Sequence, residues 1–220
     1  MFQLAILPPP QRRFWDELGA TPRGFVLYGG TALALRLGHR CSEDFDFFSN
    51  RSFAPAELGS CLPYLAGAEI IQSKNNTLTA VVDRQGPLKI SFLGGLKLNR
   101  VQDPDVAQEN GIAVASLLDL AATKLVTIQQ RAEAKDYLDL AAALETGLRL
   151  SHALAAARAV YGSEFNEALS LKALTYFEDG DLPRLEGAIR ERLRAAATAV
   201  ELTKLPSLVA KEGLSLEVQA

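Results

Sequence analysis

The chain has 220 residues, 48% hydrophobic and 22% charged, with a formal net charge of -3. That length is enough for one large domain or two small ones around a buried core, and the balance excludes both a disordered chain and a wholesale polybasic nucleic-acid binder. Any nucleic acid is held by a local patch. Only Cys41 and Cys61 are present, without a CxxC or a Cys/His cluster, which argues against structural zinc, fits a reducing compartment and leaves both as expected small buried residues.

The opening MFQLAILPPPQRRFW has a brief apolar stretch, but no basic residue precedes it and three prolines end it, so it reads poorly as a signal peptide. No apolar run reaches membrane-spanning length. A cytoplasmic protein with no membrane partner is expected.

GFVLYGG (24–30) reads as a short strand ending in glycine, TALALRLGH (31–39) as a two-turn helix, and DFDFFS (44–49) alternates like a strand. Next, PAELGSCLPYLAG (55–67) reads as a helix despite Pro63, AEIIQ (68–72) as a strand, and LTAVVDRQGPLKISFLGG (78–95) as two strands about a Gly-Pro turn. Together they predict a small mixed sheet within residues 1–114. From about residue 115 the pattern turns to Ala/Leu-rich helical periodicity. In SLLDLAATKLVTIQQRAEAKDYLDLAAALETG, Ser116 caps the start, Asp119 follows in a capping-box-like place, a turn near 131–135 splits the run, and Gly147 stops it. SHALAAARAVYG and PRLEGAIRERLRAAATAVELTKL add further helices. The predicted class is α/β (α+β), with an α/β domain over 1–114, a helical domain over 115–220, and the active cleft between them.

Residues two apart in a strand share a face, so Asp44 and Asp46 point together while Phe45 and Phe47 point to the other side. Neighbouring anions repel, and the remedies are a raised pKa on one of them or a bound cation. Where phosphate is handled, the natural cation is Mg²⁺, or Mn²⁺ in its place, held by carboxylates, phosphates and water. YGGT supplies a second device: glycines allow close backbone approach, free amides at a helix start favour an anion, and Thr31 adds a hydroxyl suited to phosphate or to capping the helix. Taken singly, Gly-Gly is usually a tight turn and Asp-x-Asp a solvated strand edge. Within one turn-helix-strand unit they point to metal-assisted nucleotidyl transfer.

Lys124 falls on the same helical stripe as Leu117, Leu120, Ala121 and Ile128. Two readings are open: its amine meets an anion inside, or its stem covers the core while the amine reaches solvent.

The stretch GGTALALRLGHRCSEDFDFF resembles the AbiEii/AbiGii nucleotidyltransferase toxin family of the polymerase-beta-like superfamily, whose first motif is Gly-Gly or Gly-Ser, a spacer, then Asp-x-Asp. The likeness runs on through KISF (89–92) and TKLVTIQQRAEAKDYLDLAAAL (123–144). It implies a nucleotidyltransferase-like N-terminal half and transfer of a nucleoside monophosphate from an NTP to an acceptor. The acceptor is tRNA in characterised relatives, which serve as toxins of toxin-antitoxin or phage-defence systems with a cognate antitoxin as partner. By resemblance, Asp44 and Asp46 are catalytic metal ligands, Gly29, Gly30 and Thr31 meet the nucleotide phosphates, Lys124 binds NTP phosphate, and Asp136 helps to activate the acceptor. Asp136 has two other readings, a surface acid beside Lys135 or an ion-pair partner that orients Lys124. Arg40 is a phosphate contact or, with His39, a helix-end cap. Arg131 and Lys135 are weaker phosphate or RNA contacts.

The superfamily often places a third metal-binding carboxylate on a neighbouring strand, and in LKISF that position is Ser91, with Lys89 on the same strand face. Two acids suffice, or Asp83 or Glu69 approaches, or catalysis is lost and the chain is a silent nucleotide- or partner-binding module. A transferase acting on protein is a further reading.

Overall fold

In this computed structural model, which describes residues 2–216, the burial along Asp44–Phe48 alternates: Phe45 and Phe47 are wholly buried, while Asp44, Asp46 and Phe48 keep partial exposure. Two compact units form, one from the residues up to Leu98, Asp103–Ser116 and the segment from Glu212, the other from Asn99–Gln102 and Leu117–Lys211.

The first unit opens with helix α1 (Pro9–Phe14). Its prolines sit in the first turn, where a missing N–H costs nothing. Strand β1 (Val26–Tyr28) runs directly into α2 (Gly29–Leu37), which Gly38 closes in the left-handed conformation with its N–H on the Ala34 carbonyl at 2.8 Å. Strand β2 (Asp44–Phe48) follows, then α3 (Pro55–Cys61). The expected helix over 55–67 stops at Cys61, because Pro63 forces Leu62 into extended backbone and a 3₁₀ turn takes over Pro63–Leu65.

Strands β3 (Glu69–Lys74), β4 (Thr77–Asp83), β5 (Pro87–Leu93), β6 (Asp105–Val106) and β7 (Ala113–Val114) complete a seven-stranded mixed sheet, ordered β3-β4-β5-β2-β1-β7-β6. β2 is antiparallel to β1 and parallel to β5. The pairs formed by β6 and β7 have no counterpart in the sequence pattern, since two residues are too few to show a period. Phe47 stacks on Phe92 with centroids 5.4 Å apart, and Phe14 meets Phe45 at 6.1 Å, so the aromatic side of β2 anchors the core.

The second unit is helical: α4 (Leu117–Thr127), α5 (Ala134–Glu145), α6 (Leu150–Tyr161), α7 (Glu167–Ala173) and α8 (Gly187–Thr198). The long Ala/Leu run does split, between Thr127 and Ala134, and Gly147 takes a positive φ just past α5. Ser116 stands immediately before α4, and the Asp119 carboxylate accepts the backbone N–H groups of Val101 at 2.7 Å and Gln102 at 3.0 Å. The start of α5 is served from a distant loop, where Asp181 accepts the Ala134 N–H at 2.6 Å. Among the described residues no helix is long and apolar enough to cross a membrane. Cys41 and Cys61, expected inside, are both exposed: one lies in the α2–β2 loop, the other ends α3 before the proline break.

Candidate active site

The first unit carries the Asp pair and the glycine turn. Gly29 has φ +75°, a conformation other residues resist, and a side chain added there would lie 2.7 Å from Asp46 Oδ2. The Asp46 carboxylate thus fills the space that a side chain at the first glycine would need. At Gly30 an added side chain would meet the Arg40 guanidinium and the Ser42 hydroxyl, each at 2.8 Å. Backbone at the start of α2 therefore lies between one acid and one base. Thr31 is buried and its hydroxyl donates to the Asp44 carbonyl, so it ties the helix to β2, and no side chain caps α2 at Tyr28.

Gly29→Ala is expected to cost about 1–2 kcal/mol through the backbone alone. The clash with Asp46 adds to that, so a urea melt should show a larger loss than the backbone explains.

On the neighbouring strand Lys89 stands opposite Asp44 and Ser91 opposite Asp46. Lys89 Nζ is 2.8 Å from Asp44 Oδ2. The hydrogen bond to Asp44 holds the Lys89 ammonium above its ordinary range, outweighing partial burial, with the charges of Asp44 and Asp46 adding to it. Neither acid suggested as a third ligand comes near. Glu69 lies three strands from Asp44 along the row Asp44, Lys89, Val81, Glu69, about 14 Å at ordinary strand spacing. Asp83 is engaged in the β4–β5 turn, accepting the Gly86 N–H at 2.9 Å. Among the described residues no three His, Cys, Asp or Glu side chains stand together as a metal site. The donor set that remains is two carboxylates on one sheet face with a cation already beside them.

The second unit holds Lys124 and Asp136. Lys124 Nζ lies 2.6 Å from Asp136 Oδ1 and 2.6 Å from Asp139 Oδ2, with the two carboxylates 0% exposed and the lysine 8%. The lysine stem does not carry its amine to solvent, and Asp136 is no surface acid; Lys135, its neighbour, pairs with Glu133 at 2.8 Å. Arg131, half-exposed, donates to Asp136 from Nε at 2.8 Å and from Nη2 at 3.2 Å. Burial pushes the Asp136 carboxyl up, but the Arg131 hydrogen bond and the Lys124 charge prevail and hold it below the usual carboxylate range. Its contribution to stability is therefore complete above the ordinary carboxyl value of about 3.9 and is lost as pH falls through the lower folded value.

Sequence reasoning passed over Asp139. The available signal was its place three residues after Asp136 in KDYLDL, on the same helix face and among residues bound for the core.

Residues 14–211 match the family described as nucleotidyl transferase AbiEii toxin, type IV toxin-antitoxin system. An uncharacterised protein of Aquifex aeolicus (strain VF5), aq_aa25, is 31% identical over 158 residues, spanning 70% of this chain and 74% of its own. Two solved structures share the fold. MenT4, the nucleotidyltransferase toxin Rv2826c of Mycobacterium tuberculosis H37Rv, superposes with a TM-score of 0.58 at 17% identity, over 88% of this chain and 83% of its own. An H. pylori protein described as a nucleotidyltransferase gives 0.55 at 19% identity, over 89% and 93%. With the family's match running through the glycine turn, the Asp pair and the Lys124 helix alike, the chain belongs to the AbiEii nucleotidyl transferase toxin family.

Proposed function

We propose that this nucleotidyltransferase moves a nucleoside monophosphate from an NTP to tRNA, with a divalent cation, and that a cognate antitoxin restrains it. The observation that carries the reading is the closeness of the Asp46 carboxylate to Gly29, where a side chain has no room: phosphate received by the amides at the start of α2 would lie beside that acid. An acceptor hydroxyl attacks the α-phosphorus, a new P–O bond forms, the bond to the β-phosphate bridge breaks, and pyrophosphate leaves as the hydroxyl proton passes to solvent.

Asp44 and Asp46 fit a hard cation, because they present oxygen ligands on one half-open face of the sheet. Held there with the phosphates, Mg²⁺ would supply charge neutralisation around the α-phosphorus. Gly29, Gly30 and Arg40 receive phosphate oxygens. In the second unit Lys124 is the cation assigned to NTP phosphate, its amine fixed from two sides by Asp136 and Asp139. Asp136 is held as a carboxylate by Lys124 and Arg131, a state suited to positioning and poor at taking a proton.

The second reading, a silent nucleotide- or partner-binding module, is favoured by Ser91 standing opposite Asp46 where a third acid would belong. Purified chain incubated with each α-labelled NTP, total tRNA and Mg²⁺ separates the two. Label on tRNA, absent when EDTA is included in the incubation, is expected. Label on protein alone moves the acceptor to protein, and calorimetric NTP binding with no labelled acceptor establishes the silent module.

A further inference from the structure

Lys89 belongs to neither the phosphate turn nor the Lys124 cluster, yet it occupies the most contested place in the first unit. Residues paired across neighbouring strands project from the same face, so the face bearing Asp44 and Asp46 also bears Lys89 and Ser91. The lysine and Asp44 are about half-exposed, at 44% and 43%, and 2.8 Å apart. One strand further, in β4, the same rows hold Val81 and Thr79, neither of them charged.

A divalent ion at Asp44 would sit within a few ångströms of the ammonium. At about 4 Å the repulsion between a dication and the ammonium, weakly screened at a protein surface, is enough to change binding by at least about tenfold. Lysine and free cation therefore compete for the same oxygens. A triphosphate changes the balance, since its anionic oxygens offer the ammonium another partner while they coordinate the ion.

We propose that Lys89 is the resident counter-cation of the Asp44/Asp46 pair, closing it to free divalent cations and releasing Asp44 only when a metal-NTP complex brings phosphate to the lysine. This rests on the nucleotidyl-transfer reading and adds an order of events: metal and nucleotide enter together.

Mn²⁺ titration of the nucleotide-free full chain, followed by calorimetry and by water-proton relaxation, tests the proposal. Lys89→Met should bind Mn²⁺ at least about tenfold tighter than the wild type, as loss of one neighbouring positive charge requires. Lys89→Gln should do the same, Lys89→Arg should match the wild type, and adding Asp46→Ala to Lys89→Met should remove the gain. In the wild type, a mixture of the four α,β-methylene nucleoside triphosphates should restore Mn²⁺ binding. Equal affinity of wild type and Lys89→Met for free Mn²⁺ overturns the proposal, as does the lack of Mn²⁺ binding by both neutral variants when circular dichroism shows them folded. If the wild type binds no Mn²⁺ even with the analogues, the metal-dependent transfer reading falls too.

Discussion

Asp46→Ala is expected to lower the initial rate of label transfer from NTP by at least about a thousandfold, the several kcal/mol that metal-held charge contributes to such a step. Three features of the first unit make this the most sensitive position. Its carboxylate fills the space beside Gly29 that a side chain would need, next to the proposed phosphate site. Its strand partner Ser91 carries no charge that could substitute. The other acid, Asp44, is already paired with Lys89, so the variant keeps a nearly neutral pair with little hold on a cation. The fold should survive, because the core side of β2 is built by Phe45 and Phe47. Far-UV circular dichroism and a thermal melt close to wild type, beside a collapsed labelling rate, are the paired results expected. Unchanged labelling would remove the Asp pair from the mechanism.

Lys124→Met should act on stability as well as on activity. It leaves the wholly buried Asp136 and Asp139 without the ammonium between them, and breaking a buried ion pair from one side typically costs about 3–5 kcal/mol. Arg131 still grips Asp136. Adding Asp136→Asn and Asp139→Asn to Lys124→Met removes the stranded charges and should recover much of the urea midpoint. Labelling should stay absent in the triple variant if Lys124 is the phosphate-binding cation proposed above, since no neutral side chain replaces its charge. Recovery of both would make the cluster purely structural. A single variant as stable as the wild type would show that the carboxylates find other compensation.

The second unit illustrates why a good motif is incompletely read from one chain. The helical stripe placed Lys124 inward, which is a local property, but the choice between snorkelling and pairing depended on what another helix brings to the amine. Asp136 and Asp139 arrive there because the turn after Thr127 folds α5 back on α4. No period within either helix encodes that approach. Arg131, taken from sequence as a loose phosphate or RNA contact, sits in the same turn and spends its fork on Asp136.

Sequence by itself determined the strand-turn-helix-strand unit, the alternation that separates Phe45 and Phe47 from Asp44 and Asp46, the glycine turn and the all-helical second half, because each is a matter of neighbours a few residues apart obeying a period of two or 3.6. Tertiary structure alone decided that Lys89 pairs with Asp44, that Ser91 faces Asp46, that Glu69 stands far along the sheet row, and that Asp139 completes the grip on Lys124. Strand register and helix packing set those contacts, and both are fixed by the burial of side chains distant in the chain, which local spacing does not record.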